Sequence, residues 1–167
     1  MAGVAIIAGA LAVAAGHVPA ANGAPVLRDF TWHPLLGAPR KSALGVRGAR
    51  TGRAVALLQI GLPGATPRQL TVFRVDCAAD RVDAIDAFAV DPALTHATAA
   101  VPALGVQPQA DALAAGRSLS LADLAEAPAG ALVRMACDDA GITTLRTAPL
   151  SALNDDATYI DDEQDRK

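Results

Sequence analysis

The stretch FRVDCAADRVDAIDAFAV, Phe73 to Val90, holds Cys77 with Asp76 beside it and Asp80, Asp83 and Asp86 close behind. A nucleophilic cysteine needs its thiolate favoured by a nearby base or a helix N-terminus, and carboxylates at these positions work in the opposite direction. No C-x-x-C redox pair is present. His33 precedes a proline and His96 lies in an Ala/Thr-rich stretch, so neither belongs to a His/Cys cluster with metal-ligand spacing. The aspartates lack the D-x-[DN]-x-[DN]-G order of a calcium loop and read as a solvated face. The sequence also lacks the nucleophile elbow G-x-S-x-G, the phosphate loop G-x-x-x-x-G-K-[ST] and the dinucleotide fingerprint G-x-G-x-x-G. These residues predict no catalytic group, no metal and no cofactor. The enzymatic alternative is a hydrolase assembled from distant positions, with His33, His96 and the Asp76 to Asp86 group as its components.

The cations are more clustered. RKSALGVRGARTGR carries Arg40, Lys41, Arg47, Arg50 and Arg53 with three glycines and no acid, and reads as an exposed, flexible loop suited to contact with an anion or a partner. Nucleic acid is not the expected partner, because aromatic residues do not interleave with the arginines and the body of the chain is nearly neutral. Of the chain's 17 acids and 14 bases, the tail NDDATYIDDEQDRK, residues 154–167, holds six and two, which leaves 11 and 12 for everything before it. That tail reads as acidic, solvated and disordered.

The elements that must position these residues come from a modest core. Hydrophobic types make up 52% of the 167 residues, but only five side chains are aromatic: Phe30, Trp32, Phe73, Phe88 and Tyr159. A core of small side chains gains less from burial, at roughly 25 cal/mol per Å² of apolar area, so a covalent staple would help it. The N-terminal MAGVAIIAGALAVAAGHVPAANGAP resembles the apolar region and small-residue cleavage sites of a secretory signal peptide, with a cut after Ala20. Its apolar run is short of the ~20 residues needed to span a bilayer, so no transmembrane anchor is expected after cleavage. The organisation expected is a signal peptide over 1–20, one exported domain over 21–153 and the tail. Export to the periplasm, cell surface or medium favours oxidation of Cys77 with Cys137, the only pair available. A bond across a loop of that length contributes on the order of 4 kcal/mol by chain entropy.

VLRDFTW alternates as a strand and is expected to end at His33-Pro34. RAVALLQIGL and QLTVFRVD, separated by Pro63-Gly64, read as a β-hairpin. DRVDAIDAFAVD fits both periods, since Val82, Ile85, Phe88 and Ala89 also share a helical face, and is read as a strand. The stretch from Pro92 to Leu113 reads as a long connection with little regular structure. SLSLADLAEAP suggests a helical turn capped by Ser118 or Ser120, and PAGALVRMACDD a helix with Pro128 in its first turn and Cys137 near its end, facing the sheet.

In this order, a Trp near the mature N-terminus, two sheet segments, FRVDCAADR, a long connection and APAGALVRMACDD together resemble the bacterial surface-adhesin protein E family over Phe30 to Asp138. The family's usual tryptophan before the last helix is absent, LADLAEAP standing in its place. The resemblance implies an exported α+β domain: a small, mainly antiparallel sheet with a C-terminal helix tied to it by the disulfide. For some members it implies binding to host surface or matrix proteins. The function expected is therefore a non-enzymatic, adhesin-like domain that binds a protein or cell-envelope component, with a structural subunit of an envelope assembly as a further alternative.

Overall fold

The computed structural model describes residues 23–36, 41–61, 68–124, 127–155 and 158. The expected signal peptide, Arg40, the Pro63-Gly64 turn signal and all of the tail except Asn154, Asp155 and Thr158 lie outside them.

The described residues form a seven-stranded antiparallel sheet with helices, the α+β class expected. The strands are β1 (Thr31–Leu35), β2 (Ser42–Arg47), β3 (Arg53–Gln59), β4 (Arg68–Asp76), β5 (Arg81–Val90), β6 (Ala97–Ala100) and β7 (Leu119–Ser120). They lie in the order β1-β2-β3-β4-β5-β6, and β7 also pairs with β5. The expected hairpin is β3 with β4, paired from Arg53 opposite Val75 to Gln59 opposite Gln69. Both faces of the sheet are apolar, which accounts for the long hydrophobic runs of β3 and β4. One face packs Leu44, Val55, Phe73, Val75 and Ile85 under the helices α1 (Gln107–Ala114), α2 (Pro128–Cys137) and α3 (Asp139–Thr143). The other gathers Ala56, Leu58, Leu70, Val72 and Phe88 with Leu27, Trp32 and Leu153.

The segment 92–113 is more ordered than its composition suggested, since it contains β6 and most of α1. The 40–53 region needs the larger correction. Ser42 to Arg47 is not a loop but a strand between β1 and β3, and its first four residues are buried. The strand accommodates Gly45 because Trp32, its register partner on β1, lies flat across that position. A Cβ on Gly45 would stand 2.8 Å from Cζ3 of Trp32. Trp32 is 2% exposed, donates its indole N–H to the Leu27 carbonyl at 2.9 Å and packs 5.6 Å from Phe30.

Leu27 to Asp29 forms a 3₁₀ turn, and the strand that follows runs through His33-Pro34 instead of stopping there. The Trp32 carbonyl points outward, where it accepts from Ala148 N–H at 3.0 Å. Residues two apart on a strand share that orientation, so the missing N–H of Pro34 also falls on the outer side, where an edge strand tolerates it.

In β5, a register shift places Arg74 opposite Ala84 but Val75 opposite Val82, leaving Asp83 as an extra residue. This bulge puts Val82 and Ile85 on the same face despite their odd spacing. It accounts for the Val82–Ile85 spacing, whereas Phe88 continues the helix-like period only because the opposite face of the sheet is apolar too.

The C-terminal helix is α2, with Pro128 in its first turn as expected. It packs on a 3₁₀ turn at Leu121–Leu124, and so closely that a Cβ on Gly130 would overlap the Leu124 carbonyl. Its last residue, Cys137, is disulfide-bonded to Cys77 in the β4–β5 turn, which ties helix to sheet. Beyond α3 the chain crosses the outer edge of β1: Ile142 and Leu145 pack on the helical side, Ala148 pairs with Trp32, and Leu150 and Leu153 pack on the opposite side. Among the described residues no helix is long and apolar enough to cross a membrane.

Candidate functional site: a cleft at the sheet edge

The helices cover β3 to β5 more completely than the outer strands. Between the exposed corner of β1–β2 and the segment following α3 lies an open cleft of about 500 Å³. That volume falls within the range of small-ligand sites. Its floor is Thr31 and His33 of β1 with Val46, Arg47 and Gly48 at the end of β2, and Asp29 lies at one end. Ile142, Thr143, Leu145 and Thr147 form the opposing wall.

His33 is 5% exposed, and its Nδ1 lies 3.2 Å from the Arg146 carbonyl. A carbonyl can only accept, so Nδ1 carries the proton, and in the neutral ring Nε2 is an acceptor. Arg47 is held from two sides: Nη1 donates to Asp29 Oδ2 at 3.5 Å, and its guanidinium lies 5.1 Å from the centre of the Phe30 ring. Both members of the ion pair are nearly half exposed, so it contributes at most about 1 kcal/mol. Its effect is chiefly orientation. The cleft thus combines a guanidinium, a carboxylate, an imidazole, three threonines and the apolar side chains of Val46, Ile142 and Leu145.

The other described cations of the cluster, Lys41, Arg50 and Arg53, have partners of their own. Arg53 is 7% exposed and donates from Nη1 to the Ala136 carbonyl at 2.6 Å and to Asp139 Oδ1 at 2.8 Å. Arg50 donates to the Cys137 carbonyl at 2.5 Å and stands 3.8 Å from Asp139. The last carbonyls of a helix have no partner within it and carry partial negative charge, and these two arginines satisfy them at the end of α2. Arg53 is therefore buried framework rather than a surface contact. Lys41 is half-buried and has an interaction of its own. Of the four described cations singled out in the sequence, Arg47 is the one that lines the cleft.

The His33, His96 and Asp76 to Asp86 set is not brought together. His33 lies on β1 at one side of the sheet, while His96 precedes β6 at the other and sits 3.7 Å from Asp91. Asp76 accepts from the N–H groups of Ala78 and Ala79, which makes it a turn former, and it stands 3.7 Å from Arg81. Asp83 holds Arg81 at 2.6 Å and Asp86 faces Arg74 at 3.7 Å. Asp80 occupies the same turn with φ of 50°. The aspartates are thus mostly paired or turn-forming rather than a uniformly solvated face. Among the described residues, no group of three or more His, Cys, Asp or Glu is arranged to hold a metal ion.

Sequence reasoning identified Arg47 and His33 singly but missed the cleft. Its walls come from residues 29–48 and 142–147, which only the chain's crossing of the β1 edge brings together. Comparison with family models, curated proteins and solved structures found no match for this chain.

Proposed function

We propose that this chain is a non-enzymatic, exported binding domain that engages a protein of the cell envelope through the cleft at the β1–β2 corner. The observation that carries the reading is the cleft itself: polar groups converging above apolar walls, in a volume of about 500 Å³. Export is supported by the disulfide and by the signal-like character of the first 20 residues, since structural disulfides persist in oxidising compartments. The sheet with its disulfide-tied helix is the architecture that the adhesin-family resemblance implies, and membership in that family is part of the proposal, resting on the quoted motifs.

A photo-reactive amino acid at Thr147, in the cleft wall, tests the reading in cells that export the full chain. The expected outcome is a discrete protein adduct that is absent when the same group is placed at exposed Arg117, outside the cleft. Identical patterns from the two positions, or a chain retained in the cytoplasm, would refute it.

A further inference from the structure

We infer that the cleft binds the free C-terminal carboxylate of a partner protein whose last residues are aliphatic, with Arg47 as the carboxylate anchor. This rests on the binding-domain reading above and specifies what is bound.

Three observations lead to it. Arg47 spends one of its five N–H donors on Asp29 and stacks against Phe30, so the guanidinium is fixed in place while Nε and Nη2 retain their donors. A planar guanidinium with adjacent free donors matches a carboxylate in bidentate geometry, and its preorganisation reduces the ordering cost of binding. Second, apart from the Arg47–Asp29 pair, the polar residues along the described lining are Thr31, Thr143, Thr147 and His33, whose Nδ1 lies 3.2 Å from the Arg146 carbonyl. Threonine hydroxyls both donate and accept, which suits the amides of an extended backbone. Third, Val46, Ile142 and Leu145 are partly buried and offer apolar contact to a side chain near the carboxylate. Among the described residues lining the cleft there is no Phe, Tyr or Trp on which a sugar ring could stack: Trp32 is buried on the opposite side of the sheet, and Phe30 lies against Arg47. The volume exceeds what one amino acid fills and accommodates a few residues of chain. Capture of a terminal carboxylate beside an apolar pocket is an established mode of peptide recognition.

Titration of the oxidised full chain with an N-acetylated pentapeptide, Ala-Ala-Ala-Val-Leu, ending in a free carboxylate provides the test, read by amide chemical shifts and by fluorescence anisotropy of a labelled copy. Shifts at Thr31, Gly48 and Thr143 are expected, with at least tenfold weaker binding for the same peptide ending in a carboxamide. Arg47→Gln should lose at least tenfold, Arg47→Lys should be intermediate because it keeps charge without the fork, and Arg117→Gln should bind as the parent does. Near-UV circular dichroism matching the parent shows that a variant is folded. Equal binding of the acid and the amide within the cleft overturns the carboxylate assignment while leaving the cleft as the binding site. Absence of cleft shifts with either peptide at 1 mM overturns this inference even where the Thr147 adduct forms; if that adduct also fails to form, both proposals fall.

Discussion

Arg47 closes β2 and Arg53 opens β3, yet the same side chain has opposite roles at the two ends of one turn. Arg53 is buried against the carbonyl end of α2, whereas Arg47 is half exposed in the cleft. Composition cannot separate them, because the difference is made by Asp139 and Ala136, more than 80 residues away in the chain. Gly45 is a similarly local dependence: its missing Cβ seats Trp32. Gly45→Ala should force the indole from its position and cost about 1–3 kcal/mol, seen as a lower urea midpoint with an unchanged slope. An unchanged midpoint would mean that β1 and β2 part easily. Asp91 offers a residue-scale test in acid. N–H donation from His96, followed by bonds from Thr95 and Ala93, holds its carboxyl down at about 2, against 3.8 unperturbed. A depressed folded pKa gives stability that is complete above the unfolded value and lost as pH falls from about 4 through about 2. Asp91→Asn should therefore flatten the dependence of the urea midpoint on pH within that window, and parallel curves for parent and variant would contradict this role.

Among the elements, the α2 C-terminus is where most restraints meet. The disulfide, Arg50 and Arg53 converge there, and α3 begins one residue later with Asp138 as its N-cap, accepting from Ala140 N–H at 3.1 Å. Since α3 and the segment after it form one wall of the cleft, replacing both cysteines by serine should act twice. Stability should fall by on the order of 4 kcal/mol in thermal or denaturant unfolding, and amide hydrogen exchange at Ile142 to Leu145 should quicken. A loss of stability with unchanged exchange there would show that the arginines alone position α3. The helix and the β3–β4 hairpin were legible in sequence because each follows a single period with clear punctuation, such as Pro128 at the start of α2. β2 was not, because its glycine and cations imitate a loop while the pairing that makes it a strand comes from both neighbours. β5 was legible only as an ambiguity, since the bulge at Asp83 and the burial of both faces together write a helical spacing into a strand. The connection from 92 to 113 hid α1 because QPQADALA has no N-cap side chain and only Ala112 is buried.

For the whole molecule, the arrangement is a sheet buried on both faces, with the chain carried from one face to the other around β1. A meander of neighbouring antiparallel strands follows from the sequence order of its segments, but the crossing does not, because it depends on contacts distant in sequence: the Ala148–Trp32 backbone pair, the His33–Arg146 contact and the packing of Leu145 and Leu153 on opposite faces. The cleft inherits that non-local origin.

The Cys77–Cys137 bond has a mechanical consequence for a domain that is pulled. The 60-residue separation it spans is removed from the extensible length of the chain, because tension passes directly from the β4–β5 turn to the end of α2. At about 3.4 Å per residue, roughly 200 Å of contour length stays sequestered when the sheet gives way. Force spectroscopy should record an unfolding step shorter by about that amount under oxidising conditions than after reduction, and equal steps would show that the bond bears no load. The covalent link would thus act as a limit on extension, keeping everything from β5 through α2 within the closed loop after β1 to β3 have been peeled away.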